Sequence, residues 1–344
     1  MNKIATRPLA KSGLNVTSLS LGTVPLSGFG GASTYQDFED VVLDAYANGI
    51  RYMDTAPMYG STRSEHFLGH ILRVKELRKS VVVSTKAGRL MRPHSKVKAS
   101  GSAVFGVTWE GGLPFVEHFD YSYDGIMRSF EDSQQRFGLD EIDALLVHDI
   151  GRMVHGDQNA HYWKQLQGGG FRALDELRSS GVIKAVGIGV NECEAVIEMA
   201  KEFRIDCCLV AGRYTLLEQE SLDSFLPLCE ERNAAVVVGG GFNSGILATG
   251  AVEGAKYNYA PAPADIMDKV RKIEAVCAEH NVPLPAAALQ FVVAHPAVPA
   301  FCAGTRHEEQ LRKNLDWFSH PIPSEFWADL KSKGLLREDA PTPA

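Results

Sequence analysis

The chain has 344 residues, 45% hydrophobic and 22% charged, the profile of a soluble globular protein long enough to bury a large core. A formal net charge of −7 leaves no basic footprint for nucleic acid or an anionic membrane surface. Six cysteines without CxxC spacing, no apolar run of membrane-spanning length and an N-terminus without the apolar core of a leader predict a cytoplasmic protein with reduced thiols.

At the N-terminus, TRPLAKSGLNVTSL places the turn KSG between two short strand-like pieces and predicts a hairpin that closes one end of the fold. The first apolar run, SLSLGTV (18–24), leads into QDFEDVVLDAYANG, where Phe38, Val41, Val42, Ala45 and Tyr46 share one helical stripe and Gly49 marks its stop. The alternation continues through RYMDT (51–55), SVVVSTKAG (80–88), DALLVHD (143–149), KAVGIGV (184–190), CCLVAGRY (207–214), AAVVVGG (234–240) and VPAFCAG (298–304). Helical patterns such as YDGIMRSFEDSQQRFG, GFRALDELRSSG and CEAVIEMAKEF separate these runs. Several runs are continuously apolar and β-branched, as suits strands covered on both faces of a parallel sheet.

Eight strand–helix units predict an α/β fold, a closed (β/α)8 TIM barrel rather than an open doubly wound sheet. The N-terminal β-hairpin and extra helices near the C-terminus, such as PAAALQFVVAHP, are additions to it. No linker or shift in composition divides the chain, so residues 1–344 read as a single barrel domain. The stretch from Ala87 to Tyr121 lacks clear periodicity, and its aromatics (Phe105, Trp109, Phe115, Phe119 and Tyr121) predict an ordered loop covering the site.

In such a barrel the chemistry sits at the C-terminal strand ends. The polar residues there are Asp54, Lys86 and His148, on the second, third and fourth strands, with Tyr59 just beyond Asp54. A phenol, with a pKa of about 10, is a poor proton shuttle near neutrality. A neighbouring lysine favours the phenolate, and a carboxylate holds that lysine charged and in place. An uncharged imidazole can orient a substrate oxygen. Singly, each residue also has a structural reading: Asp54 as a cap or partner of Lys86, Tyr59 as core, His148 as a satisfied strand-end histidine. All four falling at the expected positions favours general acid/base chemistry between an alcohol and a carbonyl.

YMDTAPMYG, VVVSTKAGRL and IDALLVHD together resemble the catalytic blocks of the aldo-keto reductases, and the similarity runs from RPLAKSGLNVTSLSLGT to CAGTRHEEQLRKNLD. The resemblance implies Tyr59 as the general acid/base, Lys86 and Asp54 as its tuners, His148 as the group orienting the carbonyl, and NAD(P)(H) bound extended. No GxGxxG follows a strand and opens a helix, in keeping with a cofactor held without a Rossmann fold.

The loop after the seventh strand, GGGFNSGIL, offers Gly240, Gly241, Phe242, Asn243 and Gly245 to a pyrophosphate, a flexible turn being the other reading. After the eighth strand, Gly304 and Thr305 open a helix that can act as an anion site. In similar proteins this region holds the adenosine phosphate and adenine, which points to Gly304, Thr305, Arg306, Gln310 and Asn314. Gln310 stands where many NADP-using relatives carry an arginine, so NAD is the expected cofactor and NADP, with Arg306 as its cation, the alternative. Asn191 is the implied contact of the nicotinamide amide. The chain departs from the family pattern at Ala211 and Gly212, where a glutamine is usual, and near Gly239, where a stacking tyrosine is usual.

GTVPLSG, STKAGRL, AGRYTLLEQ and GGGFNSGIL resemble the aldose 1-dehydrogenase branch, acting on L-fucose, L-galactose or D-arabinose-type sugars, with the pyridoxal 4-dehydrogenases close by. That implies oxidation of an anomeric C1 hydroxyl to an aldonolactone, Tyr59 removing the proton. Trp109, His118, Asp149 and Arg152 are the candidate substrate contacts. The expected partner is a small sugar or aldehyde, bound by a monomer or small homo-oligomer. A general aldehyde or ketone reductase is a further reading. Two readings of another class are a Schiff-base aldolase using Lys86 and a non-catalytic regulatory subunit; the Asp54–Tyr59 pairing speaks against the first, the complete tetrad against the second. His66 and His70 have the i,i+4 spacing of a metal pair but no third ligand nearby, so no metal is expected.

Overall fold

The computed structural model describes residues 4–94 and 108–343. Eight parallel strands form the centre: β1 (Leu19–Gly22), β2 (Tyr52–Asp54), β3 (Val82–Ala87), β4 (Ala144–His148), β5 (Ala185–Val190), β6 (Cys207–Ala211), β7 (Ala235–Gly239) and β8 (Ala300–Gly304). Each pairs with the next in sequence, and β8 returns to β1 with Cys302 opposite Ser20, which closes the barrel. All eight apolar runs are strands, and the closed (β/α)8 architecture follows.

Side chains alternate across each strand with period two. Ala144 and Leu146 of β4 turn into the barrel with Tyr52, Ala185, Cys207 and Val237, while Leu145 and Val147 pack outward against the helices. Asp54, Lys86 and His148 share the inward parity of Tyr52, Ser84 and Leu146. They therefore form the uppermost interior layer, at the C-terminal mouth.

The opposite end is plugged by the antiparallel hairpin Thr6–Pro8 with Asn15–Thr17, whose Leu9, Leu14 and Val16 join the interior cluster. Arg7 pins it by donating from Nη1 to the Val293 and Val298 carbonyls at 2.6 and 3.2 Å. The helix Tyr35–Ala47 buries Phe38, Val41, Val42 and Ala45 as its stripe requires, opened by a capping box of Thr34 and Asp37. The additional helix Leu284–Ala294 is buried over most of its surface. No helix among the described residues is long and apolar enough to cross a membrane. All six cysteines are free thiols, and His66 and His70 lie on an exposed helix face.

The expected irregular loop between Ala87 and Tyr121 differs in one respect. Arg89–Pro93 and Phe115–Phe119 form an antiparallel ladder standing over the mouth, with Arg89 opposite Phe119. Its two strands are separated by more than twenty residues, so neither shows a period until the other is beside it. Phe105 lies outside the described residues.

Helix Arg63–Val74 packs on helix Tyr123–Phe137 through Gly69, where an added Cβ would lie 2.2 Å from the Phe137 carbonyl oxygen. Gly69→Ala is thus expected to destabilise the fold by about 1–3 kcal/mol despite the better helix propensity of alanine. A thermal melt no lower than that of the parent would show that the two helices can separate without cost.

Candidate active site

Three strand ends and one loop converge at the mouth. Lys86 Nζ donates to Asp54 Oδ2 at 2.7 Å and to the Thr55 carbonyl at 2.8 Å. Ser84 Oγ donates to Asp54 Oδ1 at 2.6 Å, and Tyr52 OH lies 3.0 Å from Ser84 Oγ. Both carboxylate oxygens are therefore held, which makes the buried Lys86–Asp54 pair tolerable. Gly189 on β5 leaves room for the lysine stem, since a Cβ there would sit 3.1 Å from Lys86 Cε. The loop after β2 brings the Tyr59 ring centroid to 4.9 Å from Lys86 Nζ, with the His148 ring edge-on at 6.1 Å. The predicted tetrad is one cluster.

Burial raises the Tyr59 phenol above its ordinary value, and the Lys86 charge pulls it back only in part. Lys86 acts in the expected direction, but desolvation, which the sequence reading did not weigh, is the larger effect. Burial also opposes the Lys86 ammonium, but Asp54 and the Tyr59 phenol outweigh it and hold the lysine charged well into alkaline pH. His148 is pushed well below the usual imidazole range by burial and by the charges of Arg89 and Lys86. It is a neutral ring, able to donate or accept one hydrogen bond.

Trp109 and Asp149, two of the four expected substrate contacts, stand at this cluster. The Trp109 ring packs 5.9 Å from that of Tyr59 and forms one wall. Asp149 Oδ2 is 3.4 Å from His148 Nε2 and pairs with Arg89 Nη2. The other two are not brought in. His118 falls between Glu117 and Phe119, both turned toward Arg89, so by strand alternation it faces away. Arg152 is exposed on the short helix Arg152–His155.

Sequence reasoning missed Arg89 and Glu117. Arg89 is only 1% exposed, and its Nη1 donates to Glu117 Oε2 at 2.7 Å. The signal available was an arginine directly after the STKAG strand end, inside an apolar run. Also missed was Tyr259, whose side chain hydrogen-bonds Asn191 and whose ring lies edge-on to Phe29 at 6.4 Å.

The residues expected at a nicotinamide cofactor fit such a group. Asn243 is 3% exposed in the turn after β7, and neither its Oδ1 nor its Nδ2 has a partner among the described residues. A buried amide left this way points to a polar ligand. Beside it Gly240 has a φ of 58°, Gly245 one of 104°, and at Gly241 a Cβ would lie 2.3 Å from the Phe301 ring. The Phe242 ring packs tilted against that of Phe301, with ring centroids 5.4 Å apart. Asn191 and Gly212 directly follow the neighbouring strands β5 and β6, the Gly212 N–H donating to the Gly239 carbonyl at 2.8 Å. At the end of β8, Gly304 is exposed and Thr305 is buried, with Asn314 Nδ2 donating to Thr305 Oγ1 at 3.4 Å.

Comparisons with known proteins agree with this arrangement. The model of the aldo/keto reductase family matches residues 18–334. Pyridoxal 4-dehydrogenase of Microbacterium luteolum is 48% identical, over 96% of this chain and 97% of that protein. D-threo-aldose 1-dehydrogenase of a Pseudomonas species is 36% identical, over 98% and 99%. A solved aldo-keto reductase of Bacillus halodurans in its holo form shares the fold, with a TM-score of 0.73 at 24% identity over 97% of both chains.

Proposed function

Because the chain belongs to the aldo/keto reductase family, whose members are NAD(P)-dependent oxidoreductases, we propose that it oxidises the hydroxyl carbon of a cyclic hemiacetal to a lactone. An aldose in its ring form and pyridoxal closed on its own hydroxymethyl group are both such hemiacetals. The similarity to an aldose 1-dehydrogenase and to a pyridoxal 4-dehydrogenase thus converges on one reaction. The higher identity to the second favours pyridoxal as the first substrate to offer, with L-fucose, L-galactose and D-arabinose next.

The carrying observation is the buried Asp54–Lys86 pair beneath the Tyr59 ring, with neutral His148 edge-on to it. Tyr59 takes the hemiacetal proton, and the positive charge of Lys86 stabilises the phenolate that must form first. Asp54 holds Lys86 charged and placed. His148 hydrogen-bonds the same substrate oxygen and fixes its direction without adding charge. A bound nicotinamide supplies the hydride acceptor. Trp109 covers Tyr59 and keeps water from the reacting oxygen. A Schiff base at Lys86 would need a neutral amine, the opposite of what Asp54 enforces.

NAD is the cofactor this reading favours. Arg306 Nη2 donates to the Phe29 carbonyl at 2.5 Å, and Gln310 Oε1 accepts from the Arg306 backbone N–H at 2.9 Å. Glu308 and Glu309 occupy the first turn of the following helix, and Arg312 and Lys313 pair with them at 3.2 and 2.7 Å. A 2′-phosphate would meet two acids, with Arg312 and Lys313 already paired to them and Arg306 as the one nearby cation without an acidic partner among the described residues. Six unpaired thiols fit a reducing cytoplasm, and one barrel domain over 1–344 belongs to the same reading.

Absorbance of reduced nicotinamide, with NAD or NADP against pyridoxal and the three sugars, tests this. A higher kcat/KM with NAD than with NADP on at least one hemiacetal is expected. Reduction of NADP alone would refute the cofactor assignment, and silence with every pair would refute the substrate class.

A further inference from the structure

We infer that Asp149, fixed by Arg89 and Glu117, reads a hydroxyl group beside the substrate's reacting carbon and makes the enzyme selective for hemiacetals that carry one. The inference rests on the reaction proposed above and adds a specificity device to it.

Asp149 follows His148 and sits in the left-handed region at φ 50°, its backbone N–H donating to the Gly189 carbonyl at 2.8 Å. That turn swings the carboxylate back over the mouth. One oxygen, Oδ2, is held by Arg89 and faces His148 Nε2 at 3.4 Å. The other, Oδ1, receives no hydrogen bond from the described residues, and the side chain remains 10% exposed. Both terminal nitrogens of Arg89 are already engaged, Nη1 by Glu117 at 2.7 Å and Nη2 by Asp149. With both ends of the guanidinium engaged by carboxylates, what the cluster turns to the mouth is the Asp149 Oδ1 acceptor. It is built to receive O–H donors.

The reacting oxygen lies with Tyr59 and His148, so a donor to Asp149 Oδ1 must come from a neighbouring atom of the substrate. Ring aldoses carry a hydroxyl there on C2, and the uncharged tautomer of pyridoxal carries its ring hydroxyl ortho to the aldehyde carbon. A substrate without that group leaves Oδ1 of a desolvated carboxylate without a hydrogen bond, the situation in which polar sites discriminate most strongly.

The test is kcat/KM for matched pairs: an aldose against its 2-deoxy counterpart, and pyridoxal against the analogue lacking the ring hydroxyl. The parent enzyme should prefer the hydroxylated member by roughly 10- to 100-fold, the range of a hydrogen bond to a charged group. Asp149→Asn, nearly equal in volume, should collapse that preference while NADH fluorescence still reports cofactor binding. Equal losses on both members would mean that Asp149 only positions His148, and an intact preference would mean that it reads nothing; either overturns the inference. Should the variant fail to fold, Glu117→Gln loosens Arg89 from outside and must narrow the same ratio, an unchanged ratio counting against the proposal. A parent enzyme that turns over neither pair overturns the hemiacetal reading, and this inference with it.

Discussion

Tyr59→Phe is expected to lower kcat for hemiacetal oxidation by about 10²- to 10⁴-fold, the usual worth of a positioned acid or base. NADH affinity should be unchanged. The ring stays, so its packing against Trp109 at 5.9 Å and the ring's contact with Lys86 persist, and only the ionisable oxygen and its hydrogen bond to Lys86 are lost. Titration of NADH by fluorescence and a stopped-flow single turnover separate binding from chemistry. Undiminished single-turnover chemistry would remove Tyr59 from the proton path and leave His148 as the remaining candidate.

Lys86→Met should be as damaging to turnover and more damaging to the fold. Removing the ammonium strands the Asp54 carboxylate, with Ser84 Oγ as its remaining side-chain donor at 2.6 Å. Breaking a buried pair in this way costs about 3–5 kcal/mol. The pH dependence gives the sharper signature. Oxidation requires the phenolate, so its rate rises with pH toward the pKa of Tyr59. Burial already raises that pKa, and Lys86 is the first of the influences pulling it down. Without Lys86 the rising limb must move to higher pH. A Lys86→Met enzyme with the parent's pH profile and only a raised KM would show that the lysine binds substrate and does not tune the phenol.

Much of the site was legible because it is local. The run ending at Asp54, the tyrosine just beyond, and the polar residues closing STK and LLVH each lie at the end of a single strand. Once the barrel is inferred, its period of two and its consecutive strand order place them together. Less was legible at the walls. Trp109 and Asp149 were anticipated as loop residues, but nothing in their neighbourhoods told them from His118 and Arg152, which face elsewhere. Arg306 was legible as a possible cation for a 2′-phosphate, but not its hydrogen bond to the Phe29 carbonyl, 277 positions away.

The sequence by itself determined the order of the elements, the parity of each strand and the tetrad, since hydrophobic period and strand-end chemistry are properties of short segments. Only the tertiary structure decided which loops fold back over the mouth. The contacts among Arg89, Glu117 and Asp149 join residues 28 and 60 positions apart, and no local pattern records them. It also decided the charge states. How far a phenol rises or an imidazole falls depends on how much water the whole fold removes around Tyr59 and His148, and burial is a property of the assembled barrel.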